Sequence, residues 1–304
     1  MPKLGLLIPT IWGSEVPKTE DLLEFCRRAD ALGFDSLWVI SKLFHRNHLA
    51  HPMTMLAYAA AVTHRIGLGT AVDLLNIRHP VEMAQQAATL NALSGERLTL
   101  GISQGGRDSD YAAKGIPISQ RTGRLVEGMR VMRLLWSESD VTFQGKYYTL
   151  DQANISPKPQ RPGGIPLLLG STAEASLKRA GRIADGWVNG GRGTPESFAA
   201  RWTTVTRAAE EAGRDPSTLT NGKLLYTNPG PNRRQAAEEL ERNLATYYGP
   251  GYPMDETACG TPAEIADRIT SFGDAGCDLL MLGLPGPDLA KLEILATQVG
   301  PLTS

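Results

Sequence analysis

Short apolar runs alternate with longer amphipathic stretches almost from one end of the chain to the other. Runs at 4–9 (LGLLIP), 36–41 (SLWVIS), 65–73 (RIGLGTAVD) and 97–104 (RLTLGISQ) are rich in leucine and β-branched residues. Four more follow at 165–170 (IPLLLG), 186–189 (GWVN), 223–228 (KLLYTN) and 278–284 (DLLMLGL). Each is nearly all apolar, as expected for a strand of a parallel sheet covered on both faces. Between them apolar residues recur at helical spacing; Leu22, Phe25, Cys26, Ala29 and Leu32 form one such stripe. Eight strands regularly separated by helices predict an α/β fold, and the count fits a closed (β/α)8 TIM barrel better than an open doubly wound sheet.

Local signals punctuate this series. Thr19 is placed to cap the first helix and Gly33 to end it, while Pro80 suits the first turn of a later helix that Gly95 closes. Ser171-x-x-Glu174 and Thr261-x-x-Glu264 read as capping boxes, the second with Pro262 at the first helical position. After a helix expected at 119–136, the stretch 141–164 (VTFQGKYYTLDQANISPKPQRPGG) suggests a hairpin and an extended loop. This is an insertion expected on the C-terminal face of the barrel, where such folds place their chemistry. No repeat or flexible linker interrupts the series, so residues 1–304 are expected to form a single domain.

Composition narrows the function. The chain has 304 residues, 41% of them hydrophobic, and a formal net charge of -1 with no basic stripe, so a nucleic-acid partner is not expected. No apolar run approaches the roughly 20 residues needed to cross a bilayer, and the N-terminus reads as a first strand, not a signal peptide. The three widely spaced cysteines suit a reducing compartment, and the cytoplasm is the expected address.

The chemical candidates lie at strand ends. Leu169-Gly170-Ser171-Thr172 is a turn from strand to helix, where unpaired N–H groups and the helix dipole favour a phosphate. The competing explanation is a simple cap, with Glu174 and Lys178 paired at i,i+4. Asn189-Gly190-Gly191 is a second glycine turn that would close the same pocket. All five histidines lie between His45 and His79, but no acidic residue or cysteine accompanies His45-x-x-His48-x-x-His51, and no metal site is expected. A proton-transfer or substrate role fits His45 or His48 better, since both follow the second strand. Arg107-Asp108-Ser109-Asp110-Tyr111, after the fourth strand, reads as a solvated polar loop.

The stretch RHPVEMAQQAATLNALSGERLTLGISQGG (78–106) closely resembles the signature segment of the luciferase-like flavin-dependent oxidoreductases. DYAAKGIP, RLVEGMRVMRLLW, VTFQGKYYTL, PKPQRP, IPLLLGS, ADGWV and GTPAEIADRI follow in the family's order, so the resemblance covers nearly the whole chain. It implies a (β/α)8 barrel, a homodimer, and a flavin ring against the ends of the third and fourth strands. There it implies a non-prolyl cis peptide at Ala71–Val72 and places Ser103 near the reactive edge of the ring. The cofactor's phosphate falls on Gly170, Ser171 and Thr172, with Gly190 and Lys178 as further candidates. The sequence departs from the family after the second strand. Many members that use the deazaflavin F420 carry Asp-His there, whereas this chain reads Ser41-Lys42-Leu43-Phe44-His45. Lys42 and His45 are the nearest replacements and, with Ser103, the candidate catalytic residues. The leading expectation is a two-component monooxygenase that takes reduced FMN from a separate flavin reductase and uses O2 on a small organic substrate. The alternatives are an F420-dependent reductase or dehydrogenase that moves hydride without oxygen, and a flavin-binding protein without catalysis.

Overall fold

A computed structural model describes residues 1–13 and 15–303. Eight parallel strands form its central sheet. They are β1 (Lys3–Leu7), β2 (Ser36–Val39), β3 (Gly67–Leu74), β4 (Leu98–Ser103), β5 (Leu167–Gly170), β6 (Gly186–Asn189), β7 (Thr220–Pro229) and β8 (Leu279–Gly283). Neighbours in the chain are neighbours in the sheet, β1 pairs with β8, and β6 pairs with β7, so the sheet closes as a TIM barrel. The strands predicted from the apolar runs are all present, with ends displaced by up to three residues.

Strand alternation sorts the side chains into two cores. Leu6, Leu37, Leu68, Leu100, Leu167, Leu225 and Leu280 point outward to the helices, in one continuous buried cluster with Phe25, Ala84, Leu135 and Phe272. Leu7, Trp38, Leu168, Val188, Leu224, Tyr226 and Met281 fill the barrel interior. Glycines on the inner face make room for the large side chains. A Cβ at Gly5 would lie 3.0 Å from Trp38 Nε1, and one at Gly69 would run into the Trp38 ring. Trp38 itself donates to Ser36 Oγ at 2.8 Å, so its one polar group is satisfied inside the barrel.

The principal helices are α1 (Thr19–Ala31), α2 (Pro52–Ala60), α3 (Pro80–Leu93), α4 (Arg121–Ser137), α5 (Glu174–Ile183), α6 (Pro195–Glu210), α7 (Arg233–Tyr248) and α8 (Pro262–Asp274). Pro80 opens α3, and Gly95 follows its end with φ +73°. The capping box Thr261–Glu264 forms in full, with Pro262 in the first turn. Two expected caps do not form. Lys18, not Thr19, precedes α1, and no side chain caps it. Helix α5 begins at Glu174 with Ala173 at its cap, which leaves Ser171 three residues outside the helix.

The predicted hairpin pairs Val141–Gln144 with Thr149–Ala153. Its tip is tied to the early turns of α4, because Glu127 accepts the backbone N–H groups of Lys146, Tyr147 and Tyr148 at 2.7–3.0 Å. Tyr148 also meets the edge of His79 at the start of α3. Among the described residues, no helix is long and apolar enough to cross a membrane.

Closure of the barrel rests on Gly186, where any Cβ would collide with the Thr220 carbonyl oxygen across the β6–β7 seam. Gly186→Ala is expected to lower stability by about 1–3 kcal/mol, the usual cost of overpacking. Gly13→Ala, surrounded by open space, should change it by no more than about 0.5 kcal/mol. Urea unfolding of both variants checks the contrast, and equal effects would contradict it.

Candidate functional site

All eight strands end on one face, and the candidate residues gather there. The site begins with an irregularity in β3. Its register with β4 slips between Thr70 and Asp73, and the Ala71–Val72 peptide within the slip is cis. Val72 thereby packs toward the end of β5, where a Cβ added to Gly170 would lie 2.6 Å from it. Ser103 sits at the end of β4 in register with Leu74, and its Oγ accepts the Gly105 N–H at 3.2 Å.

The next residue past the cis peptide is Asp73, a carboxylate with 0% exposure. A buried charge needs partners, and Asp73 Oδ1 has several. It accepts Ser41 Oγ–H at 2.8 Å, the Leu74 N–H at 2.8 Å, and Arg78 Nε and Nη2 at 3.3 and 3.2 Å. Arg78 also donates to His51 Nε2 at 2.8 Å. Burial, and then the Arg78 charge, push His51 below its ordinary pKa, which suits a ring that accepts a hydrogen bond there. Asp73 Oδ2 is buried and has no partner. Ser41, just beyond the end of β2, therefore holds a half-buried hydroxyl that leans on a buried carboxylate.

The phosphate candidates form a second group. Ser171 Oγ is buried and unpaired, while its carbonyl accepts the Trp187 indole N–H at 2.9 Å. An orphaned hydroxyl beside the open first turn of a helix is what an anion subsite requires. A Cβ at Gly190 would meet nothing within 4 Å, so this turn faces open space. Behind it, the fully buried Lys223 donates to the Gly190 carbonyl at 2.7 Å and to the Leu224 carbonyl at 2.8 Å. Burial holds its pKa down to about 7. Thr172 is exposed beside Ser171. Lys178 is committed to the pair with Glu174, at 2.7 Å, and is 36% exposed.

Lys42 and His45 have a different setting. Lys42 Nζ donates to the Tyr247 carbonyl at 2.7 Å, and His45 Nε2 bonds the same oxygen at 3.2 Å. Arg46 donates to the Ala245 carbonyl at 3.0 Å and Asn47 Nδ2 to that of Thr246 at 2.8 Å. These carbonyls belong to the last turn of α7, where Ala245 also accepts the Gly249 N–H at 3.0 Å and the helix end carries partial negative charge. The loop after β2 is thus clipped to the end of α7. His45 Nδ1 accepts the Asn47 N–H at 3.1 Å, so both ring nitrogens are occupied by backbone. His48 is exposed in a two-residue pairing with Trp12, and His51 turns toward Arg78.

Aromatic residues missing from the sequence reading complete the rim. Tyr226 and Tyr248 share a 2.6 Å hydroxyl contact, and Tyr252 meets the Tyr226 ring edge-on at 5.6 Å. A cavity of about 320 Å³ lies between Tyr248, Tyr252 and Gly191, and another of about 350 Å³ between Phe44, Arg107 and Tyr247. The visible signal was the run Tyr247-Tyr248-Gly249-Pro250-Gly251-Tyr252, where aromatics alternate with turn residues. Asp73 was also missed, although a single charge inside an apolar strand marks it. A larger cavity, about 720 Å³, opens at the other end of the barrel among Lys3, Asp35, Thr99, Thr220 and Asp278. Strand beginnings line it, away from the cis peptide and the glycine turns.

Comparison with known proteins bears on these residues. The profile of the luciferase-like monooxygenases matches residues 4–257. An F420-dependent glucose-6-phosphate dehydrogenase of Intrasporangium calvum is 36% identical over 304 residues, spanning 89% of this chain and 90% of its own. One from Amycolatopsis mediterranei is 29% identical over 305 residues, spanning 88% and 89%. Among solved structures, an F420-dependent secondary alcohol dehydrogenase in complex with an F420-acetone adduct superposes with a TM-score of 0.87. It has 22% identity and is covered over 99% of its length by 100% of this chain. A monooxygenase from Streptomyces bottropensis gives 0.86 with 20% identity, over 99% of this chain and 100% of its own. At such identities the two structures show the shared fold alone.

The dehydrogenase relatives overturn the expectation of a two-component monooxygenase supplied with reduced FMN. The physical reason is that the segment 78–106 builds α3, β4 and the turn after it. Such a wall could hold a tricyclic ring of either kind, so the segment does not distinguish FMN from F420.

Burial, then repulsion from Arg107 and Arg46, lower the Lys42 pKa from 10.5 to about 8. Between those values the unfolded chain holds a proton that the folded protein does not, so this contribution to stability rises with pH. The unfolding free energy of the wild type minus that of Lys42→Met is therefore expected to climb from about pH 8 to about pH 10.5. It should be flat below that window, as denaturant titrations at stepped pH can show; a flat difference throughout contradicts the burial.

Proposed function

The chain belongs to the luciferase-like monooxygenase family of flavin- or F420-dependent oxidoreductases, and from that membership we propose that it moves hydride between F420 and an alcohol or carbonyl substrate without using oxygen. The observation that carries this reading is the agreement of relatives along about nine-tenths of the chain, at up to 36% identity, each named as an F420-dependent dehydrogenase. The site residues fit such a cofactor. Gly170, Ser171 and Thr172 would hold its phosphate, for Ser171 Oγ is buried without a partner and the Gly190 turn leaves open space beside it. The irregular segment at Ala71–Val72 and the end of β4 at Ser103 would support the ring. Bound there, the deazaflavin supplies a two-electron acceptor or donor of hydride.

The remaining work falls to the protein. The buried Tyr226, Tyr247 and Tyr252, with the more exposed Tyr248, form an aromatic wall along the rim of the barrel. The clip from Lys42, His45, Arg46 and Asn47 to α7 holds the loop after β2 in place over the barrel mouth. After the second strand, where many F420-using members carry Asp-His, this chain reads Ser41-Lys42-Leu43-Phe44-His45, so its proton-handling group differs from theirs. The reading requires no partner reductase.

Fluorescence titration of the purified protein with F420, FMN and reduced FMN is the direct test. F420 is expected to bind at least about tenfold more tightly than either form of FMN, a difference of about 1.4 kcal/mol. Gly190→Val, which fills the open turn, should weaken F420 by at least about tenfold. Preference for reduced FMN over F420 would refute the proposal.

A further inference from the structure

Asp73 is a fully buried carboxylate on the chemical face whose second oxygen has no partner, and it holds the hydroxyl of Ser41 at 2.8 Å. We propose that Ser41 is the catalytic residue that exchanges a proton with the substrate's oxygen, with Asp73 as the positioning residue that receives the proton of Ser41. The inference rests on the F420 reading, with an alcohol hydroxyl as the group that loses its proton.

Three features of the geometry support it. Asp73 directly follows the cis peptide Ala71–Val72, so its carboxylate is fixed to the segment that would support the ring. Ser41 is half-buried, whereas Asp73, with 0% exposure, has no access to solvent of its own. Arg78 and the Leu74 N–H bind Oδ1 and fix the carboxylate's orientation, so Ser41 Oγ meets a preorganised acceptor. The three residues expected from the sequence to be catalytic are engaged. Both nitrogens of His45 bond to backbone, Lys42 is held by the Tyr247 carbonyl, and Ser103 Oγ is engaged by Gly105.

In the oxidative direction the alcohol's C–H bond breaks and its electron pair leaves with the hydrogen for the deazaflavin, which is reduced. The alcohol's O–H bond breaks as its proton passes to Ser41 Oγ, and the Ser41 proton passes to Asp73 Oδ1. The substrate leaves as a carbonyl compound, two electrons poorer. Asp73 then loses its proton to water through Ser41 when the product departs. Carbonyl reduction runs the same steps backward.

The test uses the full chain with F420 and with propan-2-ol, cyclohexanol and glucose 6-phosphate as probes, comparing wild type, Ser41→Ala and Ser41→Thr. Ser41→Ala is expected to lower kcat by about 100-fold or more, in the range of a lost general acid or base. KM and the F420 dissociation constant should stay within about threefold, and the wild type's solvent deuterium isotope effect on kcat should change. Ser41→Thr, which keeps the hydroxyl, should recover most of the rate. An independent readout needs no cofactor. Infrared difference spectra on acid titration should show a carboxyl band absent from Asp73→Asn and shifted in Ser41→Ala.

Failure of F420 to bind overturns the F420 reading together with this one. F420 binding without oxidation of any probe alcohol overturns this inference alone. Retention of kcat in Ser41→Ala does the same, as does an Asp73 carboxyl band that ignores Ser41.

Discussion

The structure depends first on how closely its strands can approach. A parallel sheet of eight strands closes only if the inner layer of side chains fits a narrow space. Glycine provides that fit where neighbouring backbone or a large ring already occupies the position of a Cβ. Gly101 abuts the Thr70 carbonyl, Gly186 that of Thr220, and Gly5 and Gly69 flank Trp38. With closure comes polarity, because every strand end then faces one rim. The cis segment of β3, the hydroxyl of Ser171 and the glycine turn at Gly190 become neighbours through this geometry alone.

On that rim, charge is handled by burial against fixed donors for the carboxylate and fixed acceptors for the ammonium. Asp73 is surrounded by Ser41, Arg78 and its own strand's N–H, and Lys223 by two carbonyls. Neither is a surface ion pair whose energy salt would screen away. Lys42, Arg46 and Asn47 instead bind the last carbonyls of α7, where positive charge and donors satisfy a helix end. A cluster that reads in the sequence as candidate chemistry is thus partly a helix cap assembled from a distant loop.

Much of the architecture was legible because it is periodic. The eight apolar runs became eight strands, and the box at Thr261–Glu264 formed as written. The box at Ser171 did not, since the turn from β5 draws the hydroxyl inward before the helix begins at Glu174. Ala71, Val72 and Ser103 were locatable only by resemblance, because the bulge that unites them leaves no periodic trace. Ser41 was unreadable for a different reason: a serine acquires meaning only from its partner, and that partner lies 32 residues away. The redox partner was misread because one wall can hold two kinds of ring.

The clip between the loop after β2 and the end of α7 has a consequence for biosynthesis. Lys42 and the carbonyl it binds are 205 residues apart, so a ribosome makes the loop long before its anchor. At roughly 5–20 residues per second that interval is on the order of ten seconds or more. Through it, Ser41 hangs from an unfinished half-barrel whose rim has no fixed shape. The loop therefore takes its fixed place late, once α7 is made, and the sheet itself closes only after β8 has followed.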